Sequence, residues 1–477
     1  MKFDEGFTYD DVLLIPQRSF IDHRHEISLK THLTRTIEMS LPFLSANMDT
    51  VTESAMAIAL ATEGGIGIIH RFMTIDEQVR EVAKVKRNVG FVLSAPYTIR
   101  PDDTIEQILQ QKTQTGIDCF VVTAKAGRVV GIISRRDYQF APSPNTPVAK
   151  LMTPRKRLIV GNRKTTIQEA KKIFASQKIE KLPLVDRHGM LVGLITARSV
   201  KNFEKFPHST KDAYGRYRVG AAVGVVDDYL DRTKALLTAG ADVVMVDVAH
   251  GHNDVSLRAI KTIRKLYKDT EIIGGNVATP EGVADLIAAG VDAVKVGIGP
   301  GGLCTTRIVA GVGVPQLTAI MRASARAKKS GVPIIADGGT NYPGDITKAL
   351  AGGASAIMLA GWFAGTDESP GGIILRKGMK YKIHRGSASF LATADRKLKF
   401  KQTTEDRLNS IVAEGIEALI PYKGKVADVI YQLSGALKSG MSYCNARTIK
   451  ELWKNARFIR ITDAGFRESK SHNVEEL

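Results

Sequence analysis

A chain of 477 residues, 44% hydrophobic and 24% charged, has room for one large domain and a smaller one beside it. It has no apolar run of the roughly 18 residues a membrane helix needs, its opening MKFDEGFTYDD lacks the apolar core of a secretory signal, and its three scattered cysteines (Cys119, Cys304, Cys444) exclude a disulfide framework and a structural zinc site; a reducing cytoplasm is the expected setting. The net charge of +18 is unevenly spread: residues 91–206 hold 20 Lys/Arg against 9 Asp/Glu, a local +11, which fits either a polyphosphate- or RNA-binding module or a solvated basic surface.

In chain order, short apolar runs ending in Gly, Asn, Asp or His fall at 42–47, 66–70, 219–224, 243–247, 271–276, 293–297, 333–337 and 356–361. Helical patterns separate most of them, as at 227–239, 279–289 and 345–351. Apolar strands alternating with helices predict a parallel sheet covered on both faces. Eight of them predict a closed α/β barrel of the (β/α)8 TIM type rather than an open doubly wound sheet.

The alternation breaks between the second and third runs. There the chain reads twice as strand, helix, strand, strand: a turn at 99–103, a helix, then DCFVV (118–122) and RVVGIIS (128–134); and again LIVGNRKTT (158–166), a helix, KLPLVD (181–186) and MLVGLIT (190–196). One such copy cannot bury its own face, so the two are expected to pair. The repeat resembles a tandem CBS (Bateman) module, which implies a purine-polyphosphate effector there. The predicted division is barrel at 1–90, inserted module at 91–206 and barrel again at 207–477, with a polar linker at 201–216 leading back.

Active sites of such barrels form at the C-terminal ends of the strands. The most informative loop there is KVGIGPGGLCTTRIVAGVGVPQ (295–316). Its glycines let backbone groups approach a ligand. Gly297, Gly299 and Gly302 also match a dinucleotide GxGxxG, but no apolar helix follows, so that match is set aside. Cys304 follows the glycine run. A lone cysteine is usually a packed small hydrophobe, but among glycines and hydroxyls a thiolate nucleophile is the stronger reading.

This loop resembles the catalytic loop of the IMP dehydrogenase and GMP reductase family. Further matches are FTYDDVLLIP (7–16), ANMDTVTES (46–54), VDVAHGH (246–252), GGNVAT (274–279), ADGG (336–339), FAGTDESPG (363–371) and EGIEALIPYKG (414–424). The resemblance implies Cys304 as the nucleophile on purine C2, with Thr306 and Glu414 as a proton relay. It implies Asp337 on the ribose hydroxyls of a purine monophosphate, backbone donors at Gly339, Ala360 and Gly361 on the 5′-phosphate, and base contacts from Ser387 and Ala388. It places Asp247 and Asn276 beside a nicotinamide nucleotide. It further implies potassium at the carbonyls of Gly299, Gly301 and Cys304, and a homotetramer or octamer.

Both family reactions pass through a thioimidate on cysteine. They differ in whether a base activates water, which the resemblance assigns to an Arg-Tyr pair in a flap, here about 385–424. No Arg-Tyr dipeptide occurs in it; ungapped alignment puts Phe400-Lys401 there, and Arg396 is followed by Lys397. Asn47, where dehydrogenases tend to have proline, points the same way. The expected activity is NADPH-dependent reduction of GMP, with the NAD-dependent dehydrogenase and a nucleotide-sensing protein as alternatives. Gly302, His384 and Trp362, together with the segment 386–389, depart from the family pattern around the phosphate and base.

Overall fold

The computed structural model describes residues 3–87, 91–93, 96–399, 408 and 411–471. The chain forms two compact units, one of residues 1–86, 208–210 and 217–477, the other of 87–207 and 211–216.

The first unit is a closed eight-stranded parallel barrel. Its strands are β1 (Phe43–Ser45), β2 (Ile66–Ile69), β3 (Gly220–Val223), β4 (Val243–Asp247), β5 (Glu271–Val277), β6 (Ala293–Val296), β7 (Ile334–Asp337) and β8 (Ala356–Leu359). Each lies on an expected run, because strands buried on both faces are apolar throughout. Closure is made where Ile357 of β8 pairs with Phe43 of β1. Helices Tyr229–Ala239, Pro280–Ala289 and Pro343–Ala351 follow strands as expected. At the N-terminal rim, away from the loops that follow the strands, buried Lys86 and Asp242 pair at 2.8 Å; removing one partner of such a pair typically costs about 3–5 kcal/mol.

The second unit contains both copies of the repeat. The first has Thr98–Ile99, helix Ile105–Thr115, Cys119–Thr123 and Val129–Ser134. The second has helix Ile167–Gln177, Lys181–Val185 and Leu191–Thr196. Both helices start with the same device. Thr104 exchanges side-chain and backbone hydrogen bonds with Gln107, and Thr166 does so with Glu169, satisfying amides the helix leaves unpaired. Each copy has its own apolar cluster, and Val121, Val129, Val185 and Leu194 form a third one across the pair.

Two expectations need correction. The strand expected at 158–166 reduces to a single bridge from Gly161 to Leu184; Val92–Leu93 instead takes the edge of the second copy's sheet, beside Leu191–Thr196. The start of the expected linker at 201–216 is helical, within Ala197–Lys205. Polar composition hid an amphipathic helix whose buried Val200 joins the second copy's cluster.

Because the apolar clusters of residues 91–206 are built from their own side chains, excising that span and joining its ends should leave the barrel core intact. The expected result is a soluble barrel with cooperative thermal unfolding. A molten or aggregated product would contradict it.

Candidate active site

The loop after β6 turns sharply at Gly299, whose φ is +83° and where a Cβ would lie 2.6 Å from Arg307 Cγ. It then presents Cys304, half-buried, beside two hydroxyls. Cys304 Sγ donates to Thr306 Oγ1 at 3.2 Å, and Thr306 Oγ1 donates to Glu414 Oε2 at 2.8 Å. Thiol, hydroxyl and carboxylate thus form one continuous path along which a proton can move. Burial raises the thiols of Cys119, to about 11, and Cys444, which makes both poor nucleophiles.

Glu414 comes from 108 residues further along and is held by backbone pairing. Thr305 N donates to Glu414 O (3.0 Å), Glu414 N to Ala388 O (3.0 Å), and Ile416 N to Leu303 O (3.0 Å). The segment 414–416 is therefore zipped between the cysteine loop and residues 386–389, which brings Ser387 and Ala388 to the same place. The strand leading into the flap, Met379–Arg385, pairs with Glu417–Pro421. Its helix, Phe390–Lys399, is tied to the loop and helix after β2: Lys399 Nζ meets Glu77 at 2.7 Å, and Arg396 lies over the Phe72 ring at 5.1 Å. The hydrogen bond from Lys399 holds the Glu77 carboxyl down at about 2. Positions 400–401, where the Arg-Tyr pair aligns, lie outside the described residues.

On the barrel rim Asp337 ends β7 and Asp247 ends β4. Lys295 Nζ lies 2.7 Å from Asp337 Oδ2 and 3.5 Å from Asp247 Oδ1. Asn276 Nδ2 donates to Asp337 Oδ2 at 2.9 Å and to the Gly297 carbonyl at 2.8 Å. Expected, like Asp247, beside a nicotinamide nucleotide, Asn276 is tied by its hydrogen bonds to Asp337 and to the cysteine loop. Lys295 was not singled out from the sequence. A lysine inside an otherwise apolar strand, AVKVG, was the available signal.

At the loops after β7 and β8, Gly339 packs closely, with an added Cβ 3.3 Å from the Tyr9 ring, whereas one at Gly361 or Gly302 meets nothing within 4 Å. The open space beside Gly361 can admit a ligand group next to Ala360. Gly302 is not forced by crowding, so its departure from the family pattern is a chemical difference. Trp362 Nε1 donates to Thr340 O (3.1 Å), and Lys423 Nζ lies 5.5 Å from its ring centroid while donating to Gly361 O (2.7 Å). Of the carbonyls expected to hold potassium, that of Gly301 accepts Cys304 N at 2.9 Å.

His384, 5% exposed, shares a 3.1 Å hydrogen bond between its Nδ1 and Thr50 Oγ1. Burial first, and the Lys423 ammonium second, push its pKa down to about 4. The unfolded chain takes up a proton near pH 6.5 that the folded chain refuses until about 4, so this site's stability is complete above pH 7 and falls as pH drops through that window. Between pH 7 and 4.5 the loss should be on the order of 2–3 kcal/mol. In denaturant titrations at those two pH values, His384→Gln should lose that much less than the native chain; an equal loss would show that His384 is not the group responsible.

The family model described as the IMP dehydrogenase / GMP reductase domain matches residues 6–472. An inosine-5′-monophosphate dehydrogenase of Nitrosopumilus maritimus is 48% identical, covering 99% of each chain, and that of Aquifex aeolicus is 49% identical, covering 99% of this chain and 96% of its own. Among solved structures, a GMP reductase variant of Trypanosoma brucei in complex with guanosine 5′-monophosphate superposes with a TM-score of 0.92 at 41% identity over 99% of each chain. The same organism's GMP reductase in complex with guanosine 5′-triphosphate gives 0.81 at 37%, over 96% of this chain and 98% of its own. The chain belongs to the IMP dehydrogenase / GMP reductase family of purine-nucleotide oxidoreductases.

Proposed function

We propose that the chain is a GMP reductase, converting GMP to IMP and ammonia through a thioimidate on Cys304. The observation that carries this reading is the flap: residues 385–424 contain no Arg-Tyr dipeptide, while the Cys304–Thr306–Glu414 chain is fully assembled. Cys304 Sγ attacks C2 of GMP, its proton passing to Thr306 as Thr306 passes its own to Glu414. Reversal of that transfer protonates the departing 2-amino group. The C2–S bond has then replaced the C2–N bond and ammonia leaves. Hydride addition at C2 expels the sulfur as thiolate and gives IMP, and the thiolate takes up one proton from solvent to restore the thiol. No activated water takes part.

Asp337 holds the ribose hydroxyls in this reading, a task suited to a carboxylate acceptor. Backbone groups at Gly339, Ala360 and Gly361 receive the phosphate, and Ser387 and Ala388 face the base. NADPH, when bound, supplies the hydride. The chain's residues fit it: Asp247 and Asn276 stand at the rim, and beyond them Arg71, whose buried Nε has no partner among the described residues, and Arg396 both lie over Phe72 as positive charge for a dinucleotide phosphate. Potassium at the carbonyls of Gly299, Gly301 and Cys304 would steady the loop; no step passes through it. A purine polyphosphate on the basic second unit, and a homotetramer or octamer, complete the reading.

The dehydrogenase reading is favoured by one specific finding, the 48–49% identity to chains named IMP dehydrogenase over nearly their whole length. In that case NAD replaces NADPH and another flap residue, Lys397 or Lys401, serves as the base.

Two measurements test the proposal. Cys304→Ser should abolish turnover while GMP still binds, and bound GMP should slow alkylation of the native thiol by iodoacetamide; substantial turnover by the serine variant would end the covalent mechanism. With GMP and NADPH the native chain should turn over steadily. With IMP and NAD it should give at most a burst near one equivalent of NADH, at least ~10²-fold slower afterwards, the usual cost of lacking a placed general base. Steady XMP formation at a comparable rate would refute the reductase assignment.

A further inference from the structure

Lys295 is 3% exposed and sits inside the barrel, yet it carries a charge. Its place follows from strand register. Asp247 pairs with Gly275, and Gly275 with Lys295, so the three lie in one row across β4, β5 and β6. A Cβ at Gly275 would lie 2.7 Å from Lys295 Cβ; glycine there leaves the lysine stem room to cross. Lys295 also pairs with Ile335, and Asp337, two residues on, points to the same face.

The ammonium therefore touches the two carboxylates assigned to opposite halves of the reaction, Asp337 for the ribose and Asp247 for the nicotinamide side. At Asp337, Lys295 and Asn276 both bond Oδ2. Oδ1 has no partner among the described residues, and the side chain stays 23% exposed. Two donors on one oxygen fix the carboxylate's rotation and leave the other oxygen available to a ligand. A merely structural role looks different. At the other rim Lys86 and Asp242 have side chains only 4% and 8% exposed, with nothing offered to a ligand.

We propose that Lys295 is a positioning residue that orients Asp337 for recognition of the substrate's ribose diol. The inference rests on the reading of Asp337 as the ribose ligand. Equilibrium binding of GMP and of its 2′,3′-dideoxy analogue to the full chain tests it, with Lys295→Met, Lys295→Arg and Asp337→Asn beside the native protein. Lys295→Met should weaken GMP roughly 10- to 100-fold but the dideoxy analogue less than about threefold, the range expected for losing an oriented charged hydrogen bond. Lys295→Arg, which keeps the charge, should recover most of the GMP affinity. Equal losses for both ligands, or no loss for GMP, would overturn the proposal. Asp337→Asn separates the two failures. If that variant keeps the native preference for GMP over the analogue, the ribose reading is wrong. If it abolishes the preference while Lys295→Met keeps it, only the role of Lys295 is wrong. Should Lys295→Met fail to fold by thermal unfolding, Lys295→Gln carries the same comparison.

Discussion

A single ammonium buried at the barrel's mouth constrains the groups around it. Moving a charge of that size out of water costs several kcal/mol even after relaxation, so it must be met by carboxylates in good geometry. Lys295 is met by Asp337 and Asp247, which raise its pKa against the opposing effect of burial. Three strands are thereby fixed relative to one another at their C-terminal ends. A fourth joins through Asn276, which spans Asp337 and the Gly297 carbonyl. The loop carrying Cys304 thus begins from a point already set by the ion cluster.

The other half of the site depends on backbone pairing instead. Glu414 reaches Thr306 only because residues 414–416 are zipped between the cysteine loop and residues 386–389. Hydrogen bonds of this kind contribute about 1 kcal/mol each, few enough to be formed and released within a catalytic cycle. The proposed relay therefore exists only while the flap's return segment is seated. The helix Phe390–Lys399, pinned by Lys399 and Arg396 to the elements after β2, adds a separate hold at its far end.

All eight barrel strands were legible because a strand buried on both faces has to be apolar along its length and must end where the loops begin. The contact between Cys304 and Thr306 was legible too, since the two residues and the glycines are adjacent in the chain. Contacts made across the barrel were not. Nothing in local spacing ties Asn276 to Asp337, 61 residues away, or marks Lys295 as the partner of both aspartates. The same limit applies to Val92–Leu93, whose two residues become a strand only because the second repeat offers an open edge. The paired capping threonines, Thr104 and Thr166, were a local signal present in the sequence and passed over. His384 was noticed as a departure from the family pattern, but its low pKa comes from burial and Lys423, which only the folded chain brings together.

The two sets of relatives pull toward different reactions, and the chemistry explains why both can be close. In the proposed reading, the groups assigned around the sulfur–purine adduct serve either reaction: the nucleophile, the ribose and phosphate contacts, the nicotinamide side. High identity to chains named dehydrogenase and close superposition on a reductase therefore weigh mainly on shared machinery. The two reactions, in that reading, enter the adduct differently, by loss of ammonia or of hydride. They part again at its resolution, where one requires an activated water and the other a hydride. In the proposed reading that difference rests on a dipeptide in the flap, too small a change to move an overall identity of 48%. In this chain's flap the dipeptide is absent, Arg396 is engaged with Phe72, and Lys397 follows it without an ion pair among the described residues. The residues at the point of divergence, rather than the overall similarity, are the ground for preferring the reductase.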